Sequence, residues 1–121
     1  MELKTKEMET SSLEDEIMVE FQNTIEKITS EKLARNFKGW NKTMQYYFTD
    51  TDEKYYIKLV NGIPEQPVKG EDPDAKIKYW MATKDFLAMQ RGEVSPMKLY
   101  NQKKVKVKAS MPDLLKLQKL S

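Results

Sequence analysis

The sequence contains neither cysteine nor histidine. Without cysteine there is no disulfide, no thiolate nucleophile and no cysteine-bound metal. Without histidine the commonest general base, the Ser–His and Cys–His pairs and the commonest metal ligand are missing. Acids, lysines and tyrosines remain, but the balance argues against an enzyme, and no catalytic residue, cofactor or metal is expected. Arginine supplies only two of the 21 basic residues, which disfavours bidentate base readout and so a nucleic-acid partner. No apolar run approaches the ~18 residues of a membrane-spanning helix. The opening MELKTKEMET has no apolar stretch of the kind a secretion signal needs, so a cytoplasmic location is the expectation.

What is present suits one domain. At 121 residues, folding buries roughly two-thirds of the chain's surface, enough for a real core. The net charge is only +2, but it is unevenly spread. Residues 1–31 hold nine acids against three lysines, and residues 95–121 hold seven lysines against one acid. The basic end could meet an anionic head group, an anionic membrane surface or an acidic partner; the simpler reading is two solvated faces.

Residues 1–11 show little apolar periodicity and read as a flexible tail, leaving 12–121 as the domain. Ser11 with Glu14, or Ser12 with Asp15, makes a helix start resembling a capping box. Leu13, Ile17, Phe21, Ile25 and Ile28 then recur at helical spacing. Leu33 and Phe37 suit a short further turn that Gly39 ends. Alternation predicts strands over Trp40–Thr49 and Lys54–Val60. Asn61-Gly62 fits a type I′ hairpin turn, because both residues tolerate positive φ. Ile63–Lys69 returns as a strand, and Pro64 and Pro67 place it at a sheet edge. Ala75–Ala82 is a further strand. Thr83 can cap a helix that Gly92 closes, and Ser95-Pro96 opens a second. Lys104–Ala109 is a last strand with lysines outward, and Pro112 starts a leucine-rich helix carrying Leu114, Leu115, Leu117 and Leu120. The sum is an α+β domain: a single five-stranded sheet, mostly antiparallel though mixed, with helices covering one face.

The segment TKDFLAMQRGEVSPMKLY (Thr83–Tyr100), through Asp85, Phe86, Leu87, Gly92 and Pro96, resembles the helix pair of the sterol carrier protein-2 (SCP-2) sterol-binding family. The KVKVK run (Lys104–Lys108), the helix PDLLKLQKL (Pro112–Leu120) and the Asn61-Gly62 hairpin resemble its last strand, C-terminal helix and usual turn. About nine-tenths of the chain can be placed on this pattern. The chain departs at Lys103, where the family often has glycine, and at Ala109-Ser110, where it often has Gly-Asp; both substitutions imply reshaped turns. The ending Lys119-Leu120-Ser121 is not a peroxisomal signal.

The resemblance implies an apolar cavity between sheet and helices that binds a sterol, fatty acid, acyl-CoA or other lipid without catalysis, for transfer or presentation. Five of the eight methionines, Met44, Met81, Met89, Met97 and Met111, fall in the body of the domain and suit adaptable walls. With Phe48, Ile77, Phe86, Leu87, Leu99, Tyr100, Leu114, Leu115 and Leu117 they are the expected cavity lining; an ordinary packed core is the other reading. The C-terminal helix is the expected movable wall. Lys98, Lys103, Lys104, Lys116 and Lys119 could steer an anionic head group or membrane. Trp80 beside Lys76 and Lys78, and the Tyr46-Tyr47 and Tyr55-Tyr56 pairs, read as cross-strand aromatics rather than base-stacking platforms. Asp72 and Asp74 around Pro73, like Asp50 and Asp52, read as turns rather than metal ligands. The alternatives in function are a protein-interaction or homodimer module with a filled core, and an accessory domain to a separate lipid-metabolising enzyme.

Overall fold

The side chains of Met44, Tyr46 and Phe48 leave one face of strand β1 (Thr43–Phe48), as the alternation requires, and are buried there. Five more strands join this one: β2 (Glu53–Val60), β3 (Ile63–Pro64), β4 (Val68–Lys69), β5 (Ile77–Met81) and β6 (Val105–Lys108). The computed structural model describes the backbone of residues 2–120 and the side chains of residues 13–120. The strand order is β3-β2-β1-β5-β6, with β4 also on β2. The β1–β5 ladder is parallel and the others are antiparallel. The single edge strand expected over Ile63–Lys69 is thus two short ones. Pro64 and Pro67 have no N–H to give the ladder; Glu65 N still donates to Lys58 O, and pairing lapses from there to Val68.

The Asn61-Gly62 turn forms with φ of 53° and 79°. Gly62 is needed for space as well as for sign: a Cβ there would lie 2.1 Å from the Phe37 carbonyl oxygen. Lys103 takes φ 60° itself. The turn that the missing glycine was expected to reshape therefore keeps a left-handed residue, at a steric cost a glycine would not carry.

Helix α1 (Glu2–Thr29) lies over the covered face. Its backbone is helical through Ser11 and Ser12, so the start is upstream of the expected cap. Residues 2–12 contain no glycine or proline and are rich in good helix formers. Ile17, Phe21 and Ile28 are buried, Ile25 partly so, and Leu13 remains 37% exposed. Phe21 anchors the core, with ring centroids 5.0 Å from both Tyr46 and Phe86. Among the described residues no helix is long and apolar enough to cross a membrane.

The remaining helices are α2 (Ala34–Phe37), α3 (Thr83–Gln90), α4 (Pro96–Asn101) and α5 (Met111–Leu117), followed by a 3₁₀ turn (Gln118–Leu120). Ser95 and Ser110 cap α4 and α5, accepting from Lys98 N and Asp113 N. Thr83 does not cap α3, since the N-cap position is Ala82. Asp50 of the β1–β2 turn does the work instead, its Oδ1 accepting from both Thr83 N and Thr83 Oγ1 at 2.9 Å. Burial alone would raise the Asp50 carboxyl, but these hydrogen bonds outweigh it and hold its pKa below the ordinary value.

The opposite sheet face is lined by Lys54, Tyr47, Trp80 and Lys106 in one cross-strand row. Tyr47 stacks on Trp80 at 5.1 Å, and the Lys106 ammonium lies 5.1 Å from the Trp80 ring. Gln45 leaves β1 on the same side as Tyr47, yet it is fully buried. It bonds Tyr55 O, Gly70 O and Asp72 N, so the 70–74 loop is pinned over it.

Candidate binding cavity

Register places three side chains abreast on the covered face. Tyr46 of β1 pairs with Tyr79 of β5, which pairs with Val107 of β6. These three form the floor of a cavity of about 490 Å³, a size usual for small-molecule sites of roughly 300–1,000 Å³. The end of α3 and the connection to α4 supply one wall through Met89, Gln90, Gly92, Val94, Ser95 and Pro96. Thr24 and Lys27 of α1 supply a second, and Leu114, Leu117, Gln118 and Leu120 of the C-terminal segment a third. The lining is mostly apolar. Thr24 Oγ1 accepts from Gln90 Nε2 at 3.2 Å and itself donates to Glu20 O. Lys27, the one charged residue of the lining, donates to Leu120 O at 3.4 Å and so ties α1 to the chain's last turn.

The two tyrosines of the floor stack at 4.8 Å with an interplanar angle of 11°. Burial pushes the Tyr46 hydroxyl well above its usual range. Burial, and then the neighbouring Tyr46, do the same to Tyr79. Both remain neutral donors at any physiological pH.

The C-terminal wall is fastened from outside the cavity. Lys42 Nζ lies 3.3 Å from the buried Asp113 Oδ2. Lys116 Nζ donates to Asn36 O at 2.6 Å and sits 5.7 Å from the Trp40 ring. Lys116, expected to steer ligands from the surface, is therefore half-buried and committed to holding α5 down; Lys98, Lys103, Lys104 and Lys119 are exposed.

Of the fourteen residues expected to line a cavity, Met89, Leu114 and Leu117 border this one. Met44, Phe48, Ile77, Met81, Phe86, Leu87 and Leu99 are buried in the solid core instead. The rows on either side of Tyr46–Tyr79 are filled, as where Phe21 and Phe86 close over Phe48. Met97, Tyr100, Met111 and Leu115 are exposed, from 57% for Leu115 to 67% for Met111. Short helices bury one narrow stripe, here Leu99 in α4 and Leu114 with Leu117 in α5, and turn the neighbouring residues outward. Alternation puts Tyr46 on the face of Met44 and Phe48 and Tyr79 on the face of Ile77 and Met81, but it does not mark either as a cavity residue. Their juxtaposition depends on the β1–β5 register, which no local pattern carries. Thr24 and Lys27 had a weaker signal, lying within one turn of the buried Ile28.

A family model, that of the SCP-2 sterol transfer family, matches residues 21–121. No curated protein sequence matches the chain. Among solved structures, the sterol carrier protein-2 of Aedes aegypti in complex with a C16 fatty acid, palmitate, superposes with a TM-score of 0.63 at 15% identity, covering 88% of this chain and 91% of that one. The apo sterol carrier protein 2 of Yarrowia lipolytica gives 0.58 at 20% identity, covering 78% and 87%. An inverting sec-alkylsulfatase from Pseudomonas sp. also gives 0.58, at 17% identity over 71% of this chain, which spans only 13% of that enzyme's length. The fold is thus that of the sterol carrier proteins, and with the family model matched over residues 21–121 the chain belongs to the SCP-2 sterol transfer family.

Proposed function

We propose that this protein binds a lipid, without catalysis, in the cavity floored by Tyr46, Tyr79 and Val107, and that α5 with its following turn is the wall that opens for exchange. The observation that carries the reading is the cavity itself: about 490 Å³ walled chiefly by apolar side chains, where a packed domain would be filled. Each ligand methylene moved from water onto those walls contributes about 0.8 kcal/mol. The Aedes aegypti relative, with its bound palmitate, supports the same reading. Exposed Lys98, Lys103, Lys104 and Lys119 would favour delivery at an anionic surface, and vesicle transfer should then slow as ionic strength rises.

Organic extraction and native mass spectrometry of the purified protein should reveal a co-purified lipid. A chain lacking residues 111–121 should keep its sheet signature and lose most of its lipid affinity. A full-length protein that carries no lipid and takes none from palmitate-containing vesicles would overturn the proposal. A second reading, service to a separate lipid-metabolising enzyme, is favoured by the sulfatase, in which this fold forms a minor part of an enzyme chain. Affinity capture with the full chain should then recover such an enzyme reproducibly.

A further inference from the structure

The floor of the cavity is polar at one point, and the inference drawn from it rests on the reading of the cavity as a lipid site. Tyr46 and Tyr79 leave adjacent parallel strands in register, so their stacked rings point the same way and their hydroxyls end side by side. Two other tyrosines have occupied hydroxyls: Tyr47 donates to Glu71 at 2.7 Å and Tyr55 to Glu53 at 2.9 Å. The Tyr46 and Tyr79 hydroxyls have no hydrogen-bond partner among the described residues. The one fully enclosed side-chain polar atom without a partner among those residues is Asp113 Oδ2, so both phenol oxygens keep some accessible surface. The space that both residues border is the cavity.

An O–H facing apolar walls with nothing to bond is costly, and a ligand oxygen placed there relieves the cost. A carbonyl oxygen has two lone pairs and can accept from both phenols at once. A carboxylate suits the floor less well. It would lose its hydration on an apolar surface, and the lining's one cation, Lys27, belongs to a different wall and is engaged with Leu120 O.

We propose that Tyr46 and Tyr79 act as a paired hydrogen-bond donor that selects lipids bearing a neutral oxygen acceptor, such as a ketone, ester or alcohol, over plain hydrocarbon of equal length.

The test compares heptadecanone with heptadecane, each displacing a pyrene-alkane reporter from the full chain. The unaltered protein should prefer the ketone roughly tenfold. Tyr46→Phe and Tyr79→Phe should each reduce that preference. The double variant should abolish it by weakening heptadecanone binding, while heptadecane, no longer laid over unpaired hydroxyls, binds at least as tightly as before. Equal binding of the two probes by the unaltered protein would overturn the proposal while leaving the lipid reading intact. So would a preference that survives in the double variant, or a parallel loss of both probes. Failure of the unaltered protein to bind either probe overturns both. Should the variants fold poorly, the carbonyl stretch of bound heptadecanone in the unaltered protein decides: a shift to lower frequency supports the donor pair, and an unshifted band refutes it.

Discussion

Replacing Lys42 with methionine should loosen α5 while leaving the rest of the fold closed. The Asp113 side chain is 7% exposed, the Lys42 side chain 32%, and the charged atoms lie 3.3 Å apart. Asp113 Oδ2 has no hydrogen-bond partner among the described residues, so the ammonium is what balances it. Removing one partner of a fully buried pair costs roughly 3–5 kcal/mol. Lys42 keeps about a third of its exposure, solvent screens the pair, and about 2 kcal/mol is the fitting size. In a seven-residue helix near the end of the chain, that loss falls on local opening rather than on global unfolding. It corresponds to a roughly thirtyfold larger opening constant. The opposite change should be milder, because Asp113→Asn strands a cation that can still reach water. The double variant should recover much of what Lys42→Met loses. Hydrogen exchange at the α5 amides reads all three. If Lys42→Met costs no more protection than Asp113→Asn, or if the double variant is as open as Lys42→Met, this ion pair is not what holds the helix down.

Gly62→Ala should cost about 2–4 kcal/mol in urea unfolding, since it forces a left-handed alanine whose Cβ meets the Phe37 carbonyl at 2.1 Å; a loss under about 0.5 kcal/mol would refute the close approach. Lys103→Gly should raise stability by about 0.5–1 kcal/mol, because relief of the φ 60° strain exceeds glycine's extra chain entropy. The Asp50 pKa is lowered in the fold, so its stabilising contribution is complete above the ordinary carboxylate range and fades as pH falls through the lowered value. Thermal melts of Asp50→Asn should therefore differ from the unaltered protein at neutral pH and converge with it in strong acid; a constant difference would contradict the assignment. We propose residues 12–121 as the folding unit, and removal of 1–11 should leave the melting temperature unchanged.

Local chemistry made much of the fold legible. The Asn61-Gly62 turn, the Ser95 and Ser110 caps before prolines and the strand alternation all depend on neighbours within a few residues, and the structure contains each of them. Pro64 and Pro67 signalled an edge but not its division into two strands, because that depends on which β2 carbonyls face them. What eluded the sequence was long-range. Asp50 caps a helix that begins 33 residues later in the chain. Gln45 has the look of an open-face polar residue until the 70–74 loop is laid across it. The cavity was the hardest feature to read, because an apolar residue that fills space and one that borders it have the same local pattern. Phe48 and Met89 are both inward hydrophobics, yet only Met89 meets the cavity, since the row holding Phe48 is plugged by Phe21 and Phe86.

The parallel ladder at the centre of the sheet also governs when the cavity can form. Strands β2, β3 and β4 all lie in the connection between Phe48 and Ile77, and each can zip onto a neighbour through a tight reversal, an event of about microseconds. The seam between β1 and β5 must wait until that whole length of polypeptide has been gathered in. Tyr46 stands on one side of the seam and Tyr79 on the other. The floor of the cavity is therefore whole only once that seam has closed.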